Sequence, residues 1–172
     1  MARNRSAYQV ALDLISRRDH FRRELETKLT RKDFLRDEIE EALTRCEGLG
    51  LLDDEKSAAR FVEVRAASRG WGPHRLTAEL RQRGVERELA ERAAELAPPI
   101  AEEAMRTALR RLLVRAPEGW WRDGQRRARM VSSLIGRGFA ADDAHAAVAE
   151  LAAERERNHA LDEQPPDPIS LP

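Results

Sequence analysis

The chain has 172 residues, 36% charged, 41% hydrophobic and only 5% aromatic, with 31 basic and 31 acidic side chains. A net charge of zero excludes a generic nucleic-acid binder that relies on overall basicity. One cysteine, Cys46, excludes an internal disulfide and a cysteine metal cluster; the polar start MARNRSAYQV carries no secretory signal, and no apolar run approaches the roughly 20 residues that span a bilayer.

Alanine, leucine, arginine and glutamate dominate, all good helix formers, and no run alternates apolar with polar residues. AYQVALDLI (7–15) sets Ala7, Ala11, Leu12 and Ile15 on one helical stripe. ELETKLTRKDF follows, with Leu25 and Leu29 four apart, and then Ile39, Ala42, Leu43 and Cys46. GLGLLDD (48–54) supplies two glycines and Asp53 as an N-cap candidate. KSAARFVEVRAA predicts a helix with Ala58, Phe61 and Val62 inward. GWGP (70–73) is a turn: Pro73 suits the first turn of the next helix, and Trp71 is expected to plug a core gap. That helix carries Leu76 and Leu80 and ends in LRQRGV (80–85); Leu89, Ala93 and Leu96 mark the next. Pro98-Pro99 punctuates the chain before EEAMRTALRRLL, whose apolar face is Met105, Ala108, Leu109 and Leu112. GWW (119–121) reads as a loop anchored by tryptophan. Met130 and Leu134 lead into LIGRGF (134–139), and Ala144, Ala147, Val148 and Leu151 form the last stripe. NHALDEQPPDPISLP (158–172) has four prolines and no periodicity, and is expected to be a disordered tail.

One plan recurs three times. Leu80 precedes Arg83-Gly84-Val85, Leu134 precedes Arg137-Gly138-Phe139, and Leu29 precedes Lys32-Asp33-Phe34. Asp33 stands where the others have glycine; both residue types tolerate a left-handed backbone, glycine more freely. The expected fold is all-α: three tandem three-helix repeats at 1–52, 53–98 and 99–157, then the tail from 158 to 172, in an elongated, curved array.

The zero net charge hides an alternation. Residues 1–32 hold nine basic against four acidic side chains, 33–59 three against nine, 60–83 six against two, 84–105 two against six, 106–137 nine against two, and 138–172 two against eight. The first two helices of each unit are thus basic and the third acidic. Internal ion pairs on wet helix faces would explain part of this; a phase kept through three units favours a functional polarity, with a basic ridge suited to phosphates or an acidic protein groove. His20, His74, His145 and His159 lie far apart without metal-ligand spacing, Cys46 falls on an apolar stripe, and no glycine-rich phosphate loop follows a strand. No catalysis, cofactor or metal is expected.

The segment GLLDDEKSAARFVEVRAASRGWGPHRLTAELRQRGV (50–85) closely resembles the RecX regulatory protein family, on Leu52, Asp53 and Asp54, then Arg65, Gly70, Gly72 and Pro73, then Arg75, Leu76, Glu79, Leu80, Arg81, Arg83, Gly84 and Val85. LIGRGF with Asp142 and Asp143, and ELETKLTRKDF, resemble the family's other units, so the likeness covers about residues 7–151. Ser57 stands where many members have an aromatic residue, and Asp33 where many have glycine. The resemblance implies three three-helix repeats in a cytoplasmic, non-enzymatic regulator that binds the RecA recombinase and its single-stranded-DNA filament. Such a protein restrains filament growth, ATP hydrolysis, strand exchange and co-protease activity, touching single-stranded DNA weakly or through the filament. No membrane association is expected, and a monomer is. Charge, not the family, nominates the contact residues: Arg65, Arg69, Arg75, Arg81, Arg83, Arg126, Arg127, Arg129 and Arg137. Two other readings remain: a helix-turn-helix DNA regulator, which the acidic third helix of each unit opposes, and a helical scaffold for another protein.

Overall fold

The computed structural model describes residues 5–95 and 98–162. Among these lie nine α-helices, α1 (Ala7–Ile15), α2 (Arg22–Thr30), α3 (Arg36–Gly48), α4 (Asp54–Arg69), α5 (Pro73–Gln82), α6 (Arg87–Ala94), α7 (Pro98–Leu113), α8 (Gly124–Gly136) and α9 (Ala141–Asp162), with a short 3-10 turn at Trp120–Arg122. Local chemistry sets many of the boundaries. Ser6 and Gln9 cap α1 reciprocally, Asp53 accepts the Lys56 N–H at the start of α4, Pro73 occupies the first turn of α5, and Asp123 accepts the Gln125 and Arg126 N–H groups of α8.

The recurrent six-residue plan is a Schellman ending made three times. The Phe34, Val85 and Phe139 N–H groups donate to the Leu29, Leu80 and Leu134 carbonyls, five residues back, while Asp33, Gly84 and Gly138 donate to Thr30, Arg81 and Ile135. Asp33 (φ 59°), Gly84 (φ 84°) and Gly138 (φ 92°) are all left-handed. Each apolar residue after the turn is buried beside a leucine that is fully buried, an arrangement that contributes about 1.5–3 kcal/mol per leucine relative to exposure.

The helices form three cores. Ala7, Leu25, Leu29, Ile39, Leu43, Cys46 and neighbours make the first, on α1–α3. Ala58, Val62, Leu76, Leu80, Val85 and Ala90 make the second, on α4–α6, with Phe21 reaching in from the α1–α2 connection. Ala104, Ala108, Trp120, Met130, Leu134, Phe139 and Val148 make the third, on α7–α9, with Ala66 of α4 included. Neighbouring units therefore each lend a residue across the joint. Residues 158–162, expected to open a disordered tail, are helical instead: α9 runs through Asp162. Its end is held because Trp121 Nε1 donates to Glu156 (2.7 Å), Arg122 pairs with the same carboxylate (3.0 Å), and the Trp121 ring meets His159 edge-on at 5.8 Å. Leu96 lies outside the described residues, as do residues 163–172.

The joints follow one rule. Neither α2 nor α5 has a side-chain cap of its own, and the next unit supplies acceptors for both. The Arg22 N–H donates to the Asp54 carboxylate (2.9 Å); the Gly72 and His74 N–H groups donate to the Arg137 and Gly138 carbonyls (2.8 and 3.1 Å). Burial pushes the Asp54 carboxyl up, with the Arg22 contacts opposing it. At the second joint backbone meets backbone: a Cβ on Gly72 would lie 2.5 Å from the Gly138 oxygen, and one on Gly70 would lie 2.6 Å from the Ala108 nitrogen.

Among the described residues His20 is the only fully buried polar side chain. Its Nδ1–H donates to the Arg18 carbonyl (2.9 Å), and its Nε2 accepts from the Lys28 ammonium (2.7 Å). The Lys28 contact requires the neutral ring, because Nε2 is the acceptor there, whereas the Arg18 carbonyl accepts from Nδ1–H in either protonation state and works the other way. Burial lowers its pKa most, and the Arg18 and Lys28 charges add to the effect. The folded state thus takes up the proton less readily than the unfolded chain, so the stability present above about pH 6.5 is lost as pH falls from there toward the lower folded value. The melting temperature should therefore fall more steeply from pH 7 to 5 in the wild type than in His20→Gln; equal slopes in circular-dichroism melts would refute the assignment.

Candidate partner-binding surface

Guanidinium groups and aromatic rings alternate along α4 and the turns beside it. Arg83 and Arg65 face the Phe61 ring at 5.0 and 5.3 Å, and Arg65 and Arg75 face the Trp71 ring at 5.7 and 4.5 Å. The order is Arg83, Phe61, Arg65, Trp71, Arg75, from the joint of the first two units toward that of the last two. Phe61 and Arg65 are one turn apart on α4, so their pairing is local; Trp71 and Arg75 arrive through the α4–α5 turn. Each cation–π contact contributes about 0.5–1 kcal/mol at such sites, which biases the forks toward these directions.

The ladder ends in a second cluster. Arg111 and Arg137 donate to the Ser68 and Arg69 carbonyls (2.6 and 3.0 Å), occupying the negative end of the α4 dipole. Burial, with the adjacent Arg111 and Arg75 charges, pulls the Arg137 pKa down from the ordinary arginine value. Arg69 is exposed beside them. At the other end Glu24 serves both Arg18 (2.8 Å) and Arg83 (3.6 Å). Burial works to raise its carboxyl, and the Arg18 pairing, with His20 and Arg83, outweighs that and keeps it low.

Five of the nine nominated arginines, Arg65, Arg69, Arg75, Arg83 and Arg137, are thus linked through shared rings, helix-end carbonyls or neighbouring charge. Arg83 is half-buried at a joint, whereas Arg81, two residues away on the helix, is exposed and separate from the ladder. Arg126 is bound to Asp123 (2.8 Å), and it shares α8 with exposed Arg127 and Arg129. Arg126 and Arg129 line a smaller cavity of about 200 Å³ with Arg115 and Trp120, well away in sequence from the ladder. The single basic ridge expected from charge alone therefore resolves into an arginine–aromatic ladder and a separate α8 face. Arg111, Arg60 and Arg18 join the surface without having been singled out; of these only Arg60 carried a sequence signal, because with the nominated Arg65 it flanks Phe61 on one helix.

No described helix is long and apolar enough to cross a membrane, and among the described residues no three His, Cys, Asp or Glu side chains are grouped to hold a metal ion.

Residues 7–46 match the model of the first three-helix domain of RecX, and residues 53–93 that of the second. The chain is 38% identical over 162 residues to the regulatory protein RecX of Mycolicibacterium smegmatis, covering 90% of this chain and 85% of the relative. It is 35% identical over 157 residues to that of Halorhodospira halophila, covering 91% and 94%. The fold matches the crystal structure of RecX from Lactobacillus salivarius with a TM-score of 0.70 at 23% identity, over 88% of this chain and 95% of that one. The repeat ending, the order of the units and the length of the likeness agree, and the chain belongs to the RecX family of regulatory proteins.

Proposed function

We propose that this protein binds the RecA recombinase and its single-stranded-DNA filament and restrains filament growth, ATP hydrolysis, strand exchange and co-protease activity. The observation that supports this best is the arginine–aromatic ladder, which crosses from one unit joint toward the next, where α4 packs against α7 of the third unit. Such a surface tracks a long partner and encloses no small substrate. The arginines act as oriented forks for carboxylates or phosphates, and the body bridges successive subunits so that closure or further addition is blocked. The third helices α3, α6 and α9 carry acidic first turns or faces, which disfavours insertion of any of them into a DNA groove.

Added below the RecA concentration, the protein should slow single-strand-dependent ATP hydrolysis and shorten filaments; no change in either at excess would overturn the reading. Direct binding to oligothymidylate should be weak and fall with salt, with a log–log slope of about −0.7 per phosphate contacted. A flat salt response would remove phosphate contact from the ladder.

A further inference from the structure

A notch of about 600 Å³ opens between the first and second units, lined by Arg18, Asp19 and Phe21 of the α1–α2 connection, by Ser57, Arg60, Phe61, Val64 and Arg65 of α4, and by Arg83. Its floor is apolar. Phe21 is buried and meets Phe61 edge-on at 6.5 Å, and Val64 stands 53% exposed on the wall. The helical period explains that exposure: Ala58, Val62 and Ala66 face the core, while Ser57, Phe61 and Val64 form a second stripe on the other side of α4. Its rim is short of negative charge. Three of its four guanidiniums share two carboxylates, Arg60 pairing with Asp19 at 3.5 Å and Arg18 and Arg83 both using Glu24, while Arg65 faces the Phe61 and Trp71 rings. Arg83 Nε is buried without an acceptor.

We infer that this notch takes a bulky apolar side chain, flanked by carboxylates, from an acidic segment of a protein partner. The inference rests on the proposal above that a recombinase filament is the target, and names the kind of segment this joint would grip. Charge complementarity selects the flanks, and the uncovered Val64 beside Phe61 selects the apolar centre. A nucleobase fits less well, because the Phe61 ring already meets two guanidiniums and the Phe21 edge, leaving no open platform for stacking.

The test uses the full chain and three fluorescein-labelled probes: a peptide of aspartate and glutamate with one central leucine, the same peptide with serine for leucine, and oligothymidylate. The leucine peptide should bind about tenfold more tightly than the serine peptide, and Val64→Glu should abolish that difference while changing oligothymidylate affinity by less than about twofold. Arg60→Glu, on an exposed pair, gives a second variant should Val64→Glu fold poorly. Equal affinity for the two peptides, or oligothymidylate competing for the notch and lost with Val64→Glu, would overturn the inference. The peptides contain no RecA, so failure here leaves the ATP-hydrolysis result standing, and failure of wild-type inhibition leaves the peptide result to decide the notch by itself.

Discussion

Gly138→Ala is expected to destabilise the protein by about 3 kcal/mol or more, far beyond the usual cost of a surface change. Two effects combine. The backbone at Gly138 is left-handed at φ 92°, which costs an L-residue about 1–2 kcal/mol. An added Cβ would also run into the Arg75 backbone nitrogen and lie 2.6 Å from the Arg75 Cβ. Backbone cannot rotate aside as a side-chain tip can, so the α8–α9 turn must withdraw from the start of α5. Withdrawal removes the acceptors of the Gly72 and His74 N–H groups, and an uncapped, partly buried helix start costs about 1–3 kcal/mol per lost partner. Because stability in a repeat array is a sum of unit and interface contributions, loss of this joint should also split one melting transition into two. Gly136→Ala, two residues away in α8 with open space around its Cβ, should be neutral or stabilising by a few tenths to about 1 kcal/mol. Calorimetry of both variants checks the argument; equal melting temperatures would show that the turn does not clamp the second joint.

Reversing the ladder should have the largest effect on activity. Arg65→Glu with Arg75→Glu replaces two oriented cations by anions at the centre of the surface and should raise the concentration needed for half-inhibition of RecA ATP hydrolysis by more than about tenfold. Both residues lie outside the three cores, so the melting temperature should move by only a few degrees. The comparison is Arg127→Glu with Arg129→Glu, which reverses the same charge on α8, outside the ladder. If both pairs weaken inhibition equally, only overall charge matters; if the α8 pair alone does so, the contact surface is on the third unit. Arg81→Glu is a milder companion, whereas Arg83→Glu would set a second carboxylate against Glu24 and disturb the joint itself.

Much of this was legible in the chain. The Schellman endings close within five residues, so Leu29, Leu80 and Leu134 with their turn residues announce them locally, and Asp33 does take the left-handed conformation expected of it. The caps at Asp53 and Pro73 are local as well. Trp71 was expected to fill a gap; it is half-buried, and it also carries two guanidiniums on its ring. The extra turn of α9 was not legible, because its partners Trp121 and Arg122 lie more than thirty residues away.

The sequence by itself determined the all-helical character, the three-fold phase of the endings and the alternation of charge, because each depends on residue type and short-range hydrogen bonding. Only the tertiary structure decided which arginines stand together. Arg81 and Arg83 are neighbours in the chain, yet roughly 200° apart around a helix, so one faces water and the other a joint. Arg65 and Arg75 meet across the α4–α5 turn, and Arg111 and Arg137 join them from the third unit because the rotation between units, set by Gly72 against Gly138 and Ala66 against α7, brings them to that side. That rotation is a property of packed surfaces and is written in no single stretch of the chain.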